Sequence, residues 1–247
     1  MVKHDLPANF FRNRLKEVKN MGMFNEVKNV TNVDSFEKLD ENNKPIKKDE
    51  NVMDLVFLLD KSGSMWNLEE DTIGGFNSYI AKERQKEGGA KILVTLVLFN
   101  DEYRILYSRK PIEEVKELTN EDYYTEGCTA LLDAIGTTIT SLDEEVSDKV
   151  LFVITTDRLE NSSQKYNKAM VKELIESHKW EFLFIGADID SYGEALTLGI
   201  DSDHAANFEK SSRGLGCMFD SVRSYRCAFE KGDEEITRGG GWKEGLD

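Results

Sequence analysis

From residue 53 onward, short runs of consecutive apolar residues alternate with longer stretches in which apolar positions recur at helical spacing. The runs are DLVFLL at 54–59, ILVTLVLF at 92–99, VLFVIT at 150–155 and EFLFIGA at 181–187. A strand that is apolar without alternation is buried on both faces, as in a parallel sheet. Parallel neighbours require a crossover between them, and a helix is the usual one. The intervening stretches supply these. Helices are expected at 73–87, closed by Gly88-Gly89, at 129–142, at 167–178, at 192–198, closed by Gly199, and at 212–229. Tyr103–Tyr107 follows the turn signal Asn100-Asp101 and reads as a hairpin partner of the 92–99 strand. A short helix is expected at 112–118 after Pro111, and a last short strand at 205–208. The pattern predicts an α/β fold, with a mainly parallel central sheet, one antiparallel edge strand and helices on both faces.

The pattern also sets the domain boundaries. Residues 1–50 are rich in Lys, Asn, Glu and Asp, and read as an N-terminal extension. Within it Phe11, Leu15, Val18 and Met21 suggest a short amphipathic helix, followed by the polar linker ENNKPIKKDEN. Residues 51–231 form the α/β domain, and 232–247 a flexible, glycine-rich tail. No h-region of a secretory signal is visible near the start, and the apolar runs are far too short to span a bilayer. Three cysteines among 247 residues make no disulfide framework. A cytoplasmic protein that neither spans nor lies on a membrane is expected. The net charge of −15 argues against nucleic acid as a partner, because phosphates are repelled over most of the surface.

In an open parallel sheet, ligands bind beyond the carboxyl ends of the strands. Asp60-Lys61-Ser62-Gly63-Ser64 follows the first strand, and Thr155-Thr156-Asp157 closes the 150–155 strand. Glu126-Gly127-Cys128-Thr129 opens the helix between them. Three segments thus bring Asp60, Ser62, Ser64, Thr129 and Asp157 to one edge. Oxygen-only sets select hard divalent cations, here Mg²⁺, or Mn²⁺ or Ca²⁺ in its place. Ser62 and Ser64 are two apart, so in an extended loop both can face one ion, with Gly63 allowing a tight turn. Neutral hydroxyls leave most of the cation's charge uncancelled, so an external carboxylate could complete its shell.

Asp60-x-Ser62-x-Ser64, Thr129 and Asp157, in this order within an α/β alternation, resemble the metal-ion-dependent adhesion site of von Willebrand factor A domains. Met65, the TALLDAI run at 129–135 and Glu160-Asn-Ser-Ser163 are similar to the family as well. IGADID at 185–190 is similar to compact intracellular bacterial members. The resemblance covers roughly residues 52–230. It implies a Rossmann-like domain in which Ser62, Ser64 and Thr129 touch the metal directly. Asp60 and Asp157 would then hold coordinated waters or the ion itself, and Asp133 would support the site. One departure is Arg158, where the family commonly has Gly; its guanidinium would either point to solvent or stand beside the metal.

The function so implied is a non-enzymatic adaptor that engages an acidic side chain of a protein partner; its oligomeric state is left open. A structural domain with a vestigial metal site is the alternative. A Mg²⁺-dependent phosphohydrolase of the haloacid dehalogenase kind also begins from an Asp after a first strand. It needs a second Asp two residues on, and Ser62 stands there. Cys128 has no histidine near it in sequence, and Cys217 and Cys227 read as structural. Arg213-Gly-Leu-Gly216 lacks the third glycine of a nucleotide loop, since Phe219 stands there. Tyr123-Tyr124 could either line the metal-facing surface or pack its loop, and Glu69-Glu70-Asp71 reads as a solvated approach to a helix.

Overall fold

The computed structural model describes residues 51–86, 88–143 and 145–246. The helix expected around Phe11–Met21 and its polar linker lie outside the described residues. The strands are β1 (Val52–Asp60), β2 (Lys91–Phe99), β3 (Tyr103–Pro111), β4 (Lys149–Thr156), β5 (Glu181–Gly186) and β6 (Ala205–Asn207). The helices are α1 (Glu69–Arg84), α2 (Leu131–Leu142), α3 (Lys168–Ser177), α4 (Ser191–Thr197), α5 (Ser212–Lys231) and α6 (Glu234–Arg238). They build a six-stranded sheet in the order β3-β2-β1-β4-β5-β6. β3 pairs antiparallel with β2 at the edge, and the other pairings are parallel. This is the mixed Rossmann-like sheet that the apolar runs predict.

β1 shows why its sequence has no polar alternation. Leu55, Phe57 and Leu59 enter one core with Phe76, Tyr79 and Ile80 of α1 and Leu215, Met218 and Phe219 of α5. Val56 and Leu58 enter the opposite core with Leu131, Ile135 and Ile139 of α2 and Val171 of α3. Successive side chains of a strand point to opposite faces, so burial on both demands an unbroken apolar run.

The boundaries differ from expectation in a few places. α1 begins at Glu69 rather than 73 and takes the acidic triplet into its first turn. There the carboxylates face the helix's positive end. Asp71 accepts a hydrogen bond from Ser212 Oγ, and Glu69 accepts one from Thr125 Oγ1. The stretch 112–118 holds a single helical turn, Ile112–Glu114. Its residues are held instead by α1: Asn77 accepts from Leu118 N at 2.8 Å and donates to Leu118 O at 2.9 Å.

The tail is the main correction. The glycine-rich segment expected to be frayed is folded through Leu246. α6 is capped by Asp233, whose side chain accepts from Ile236 N. Trp242 is 1 % exposed, meets Tyr225 edge-on at 5.5 Å, and donates from Nε1 to Asp203 O at 2.9 Å. One buried indole with a satisfied N–H outweighs the flexibility of the glycines around it. Trp242→Ala is expected to cost about 3–5 kcal/mol of stability, measured by urea denaturation.

A charge cluster ties α5 to the α1–β2 connection. Glu230 accepts from Lys86 Nζ, from Ala90 N at 2.6 Å and from Arg226 Nη1 at 2.7 Å. Burial pushes its pKa up, but these donors outweigh burial and hold it at about 2. Its stabilising contribution is therefore complete above the ordinary carboxyl value and fades as pH falls toward 2. Glu230→Gln is expected to lose about 1–3 kcal/mol at pH 7. Denaturation repeated at pH 3.5 should show a smaller gap between the two proteins.

Candidate metal centre

The strand order reverses between β1 and β4: the chain runs from β1 to β2 and β3 on one side, and from β4 to β5 and β6 on the other. That is where an open α/β sheet leaves a crevice. Asp60 ends β1, and Asp157 directly follows β4. The two carboxylates are thus delivered side by side by adjacent strands, and both residues are buried.

Asp60 is held on both oxygens. Ser62 N donates to Oδ1 at 2.7 Å, and Thr156 Oγ1 donates to Oδ2 at 2.6 Å. Burial raises its pKa to about 6, against the lowering effect of these hydrogen bonds and with a small further rise from Asp157. A cation at this edge would therefore relieve a strained charge. Ser62 Oγ lies 3.0 Å from Ser64 Oγ, and Ser64 Oγ donates to Asp157 Oδ1 at 2.5 Å. Four of the five candidate residues thus form one hydrogen-bonded chain. The fifth, Thr129, is fully buried, and its Oγ1 has no hydrogen-bond partner.

The local backbone explains how Thr129 is held there. Gly63 N donates to Gly127 O at 3.2 Å, and Glu126 N donates to Lys61 O at 3.0 Å, which pins the 126–129 loop to the first motif. Thr129 N donates to Asn161 Oδ1 at 2.9 Å, while Asn161 N donates back to Thr129 O at 3.1 Å. Asn100 Nδ2 donates to Glu126 O at 2.9 Å. Asp133 accepts from the backbone N–H groups of Gln164, Lys165 and Tyr166, and so supports the loop after β4.

Two local expectations change. The segment 63–65 is a tight helical turn, not an extended loop, yet it still brings the two serine oxygens together. Gly63 needs no special backbone angle. The glycine that the site requires is Gly127, at φ +73°, where an added Cβ would lie 1.8 Å from Asp101 Oδ1. Arg158 is exposed and its φ is ordinary, so a glycine is not needed there.

The tyrosines divide. Tyr123 is buried and donates from its hydroxyl to Asp60 O at 2.6 Å. Tyr124 is exposed, and its ring lies 4.7 Å from Lys61 Nζ. Trp66 and Leu159, each within two residues of a motif position, are exposed as well. Beside the site a cleft of about 560 Å³ is lined by Ser64, Asp157, Arg158, Asp188 and Lys210 among others.

Sequence reasoning missed Lys210. Its Nζ lies 2.7 Å from Asp157 Oδ2. It comes from the β6–α5 loop, 53 positions from Asp157 and outside any recognisable motif. Thr156 and Asn161 were also unassigned, although both adjoin the third motif.

Residues 54–218 match the family model of the von Willebrand factor type A domain. The chain belongs to that family. No curated protein matches it in sequence. Among solved structures it is similar to proximal thread matrix protein 1 from the mussel byssus, at 16 % identity and a TM-score of 0.53. A form of that protein described as having a zinc-occupied MIDAS motif gives 17 % and 0.51. Both comparisons cover 72 % of this chain and 46 % of the mussel protein, so the chain spans about half the length of that relative. The PilB minor pilin from Streptococcus sanguinis is similar at 13 % identity and a TM-score of 0.52, over 76 % of this chain and 64 % of that one. At these identities the likeness is one of fold.

Asn161→Ala would leave the buried Thr129 N–H without its acceptor. We expect a loss of about 1–3 kcal/mol by urea denaturation.

Proposed function

We propose that this von Willebrand factor type A domain is a non-catalytic binding module. In this reading Ser62, Ser64 and Thr129 hold a divalent cation directly, and Asp60 and Asp157 hold it directly or through water. The observation that carries the reading is Thr129 Oγ1. A fully buried hydroxyl with no partner is costly, and this one sits on a loop pinned to the DxSxS turn. A coordinated ion would satisfy it.

The donor chemistry agrees. The set is all oxygen and mostly neutral, which suits Mg²⁺ or Mn²⁺ over a soft metal. Among the described residues no group of three or more His, Cys, Asp or Glu could hold an ion, so the hydroxyls are essential to this site. The mussel relative with zinc at its MIDAS motif lends support by analogy. When bound, the ion would supply an open, electrophilic position that a carboxylate can fill. We therefore infer a protein partner presenting an acidic side chain, with Trp66, Tyr124 and Leu159 offering apolar surface around it. Ser62 in place of a second acidic residue supports a binding role over phosphoryl hydrolysis.

We further infer a reducing, cytoplasmic setting. Cys128, Cys217 and Cys227 are all free thiols, and among the described residues no helix is long and apolar enough to cross a membrane.

Metal titration followed by thermal unfolding tests the site. An ion that binds only the folded state stabilises it by about 2.7 kcal/mol at 100 times its Kd. Mg²⁺ or Mn²⁺ is expected to raise Tm in the wild type and to leave Ser62→Ala and Asp60→Asn unmoved. No shift at millimolar metal would favour a structural domain with a vestigial site.

A further inference from the structure

Asp157 is fully enclosed: its side chain is 0 % exposed, whereas that of Lys210 is 28 % exposed. Both carboxylate oxygens are engaged, Oδ1 by Ser64 Oγ and Oδ2 by Lys210 Nζ at 2.7 Å. The lysine is placed by its backbone. On one side Phe208 is buried, and its N–H bonds Gly186 O at 2.9 Å. On the other, Ser211 caps α5 by accepting from Gly214 N at 3.1 Å. The loop lies so close to the helix start that a Cβ on Gly214 would meet Glu209 O at 1.9 Å. Lys210, two residues after Phe208 and one before Ser211, is thus anchored on both sides and reaches Asp157 with little loss of backbone freedom.

We propose that Lys210 is an internal counter-ion of the metal centre: its ammonium occupies Asp157 until a divalent ion displaces it, and so sets how tightly that ion is held. This rests on the metal-site reading above. Two buried carboxylates at adjacent strand ends repel each other unless a positive charge is near. Lys210, with its Nζ 2.7 Å from Asp157 Oδ2, supplies such a charge. The same ammonium opposes a second cation and holds an oxygen that the ion, or its bound water, must share. Divalent ions, with twice the charge, can compete; their affinity is reduced by the interaction they replace.

Binding of Mn²⁺ alone is measured by isothermal calorimetry on the full chain, for wild type, Lys210→Met, Lys210→Arg and Ser62→Ala. Lys210→Met is expected to bind Mn²⁺ at least tenfold more tightly than wild type and to melt at a lower temperature without metal. Lys210→Arg keeps the charge, so its metal-free melting temperature and its Mn²⁺ affinity should stay near wild type. A purely structural lysine would lower stability in Lys210→Met without tightening Mn²⁺ binding. Equal or weaker binding by Lys210→Met, with Ser62→Ala still abolishing it, overturns the counter-ion role and leaves the metal site standing. Binding by neither wild type nor Lys210→Met, or binding that survives Ser62→Ala, overturns the site reading and the lysine's role together. Should Lys210→Met fail to fold, Lys210→Gln is judged by the same criteria.

Discussion

The parallel pairing of β1 with both β2 and β4 is the constraint on which the rest depends. It buries β1 on both faces and at both edges, which demands its unbroken apolar run. It also places the reversal of strand order at the carboxyl end of β1. Whatever follows β1 and β4 must then share one crevice. Asp60 and Asp157 follow them, and both are shielded from water. Two shielded carboxylates are costly unless they are compensated, so the surrounding loops are organised around supplying donors and positive charge. Ser62, Ser64 and Thr156 provide hydroxyls or backbone N–H groups, and Lys210 provides the ammonium.

The overall charge of −15 has little bearing on this edge. The candidate set holds only two carboxylates, and the nearby ionised groups include Arg158, Lys210 and Lys61. Lys61 is itself buried, with its Nζ 3.8 Å from Glu126 Oε1 and over the ring of Tyr124. An acidic partner of the kind proposed would therefore have to be attracted by the local arrangement and not by the long-range field of the molecule.

What was legible in the sequence follows the range of the interactions. The fold was readable because burial on both faces writes itself into consecutive residues of one strand. The five candidate residues could be singled out because each ends or follows a strand or precedes a helix, at fixed short spacings within its own segment. Gly127 and Asn161 were less so. Their roles rest on contacts between loops: Gly127 against Asp101, and Asn161 against Thr129. The tail misled because glycine content signals flexibility, while a single Trp242 under α5 decides the outcome. Lys210 left no local trace at all. A lysine in a polar loop reads as solvent-exposed, and only the fold shows that the loop ends over Asp157.

The motif names the proposed contacts to an ion but is silent on the charge already present around them. Two domains with the same five residues differ in metal affinity if one supplies its own ammonium and the other leaves the carboxylates bare. In this chain the ammonium is at hand, with Lys210 Nζ 2.7 Å from Asp157 Oδ2. The intact motif brings its oxygen atoms to one edge of the sheet. How readily they give up their present partners is decided by the β6–α5 loop, which lies outside the motif.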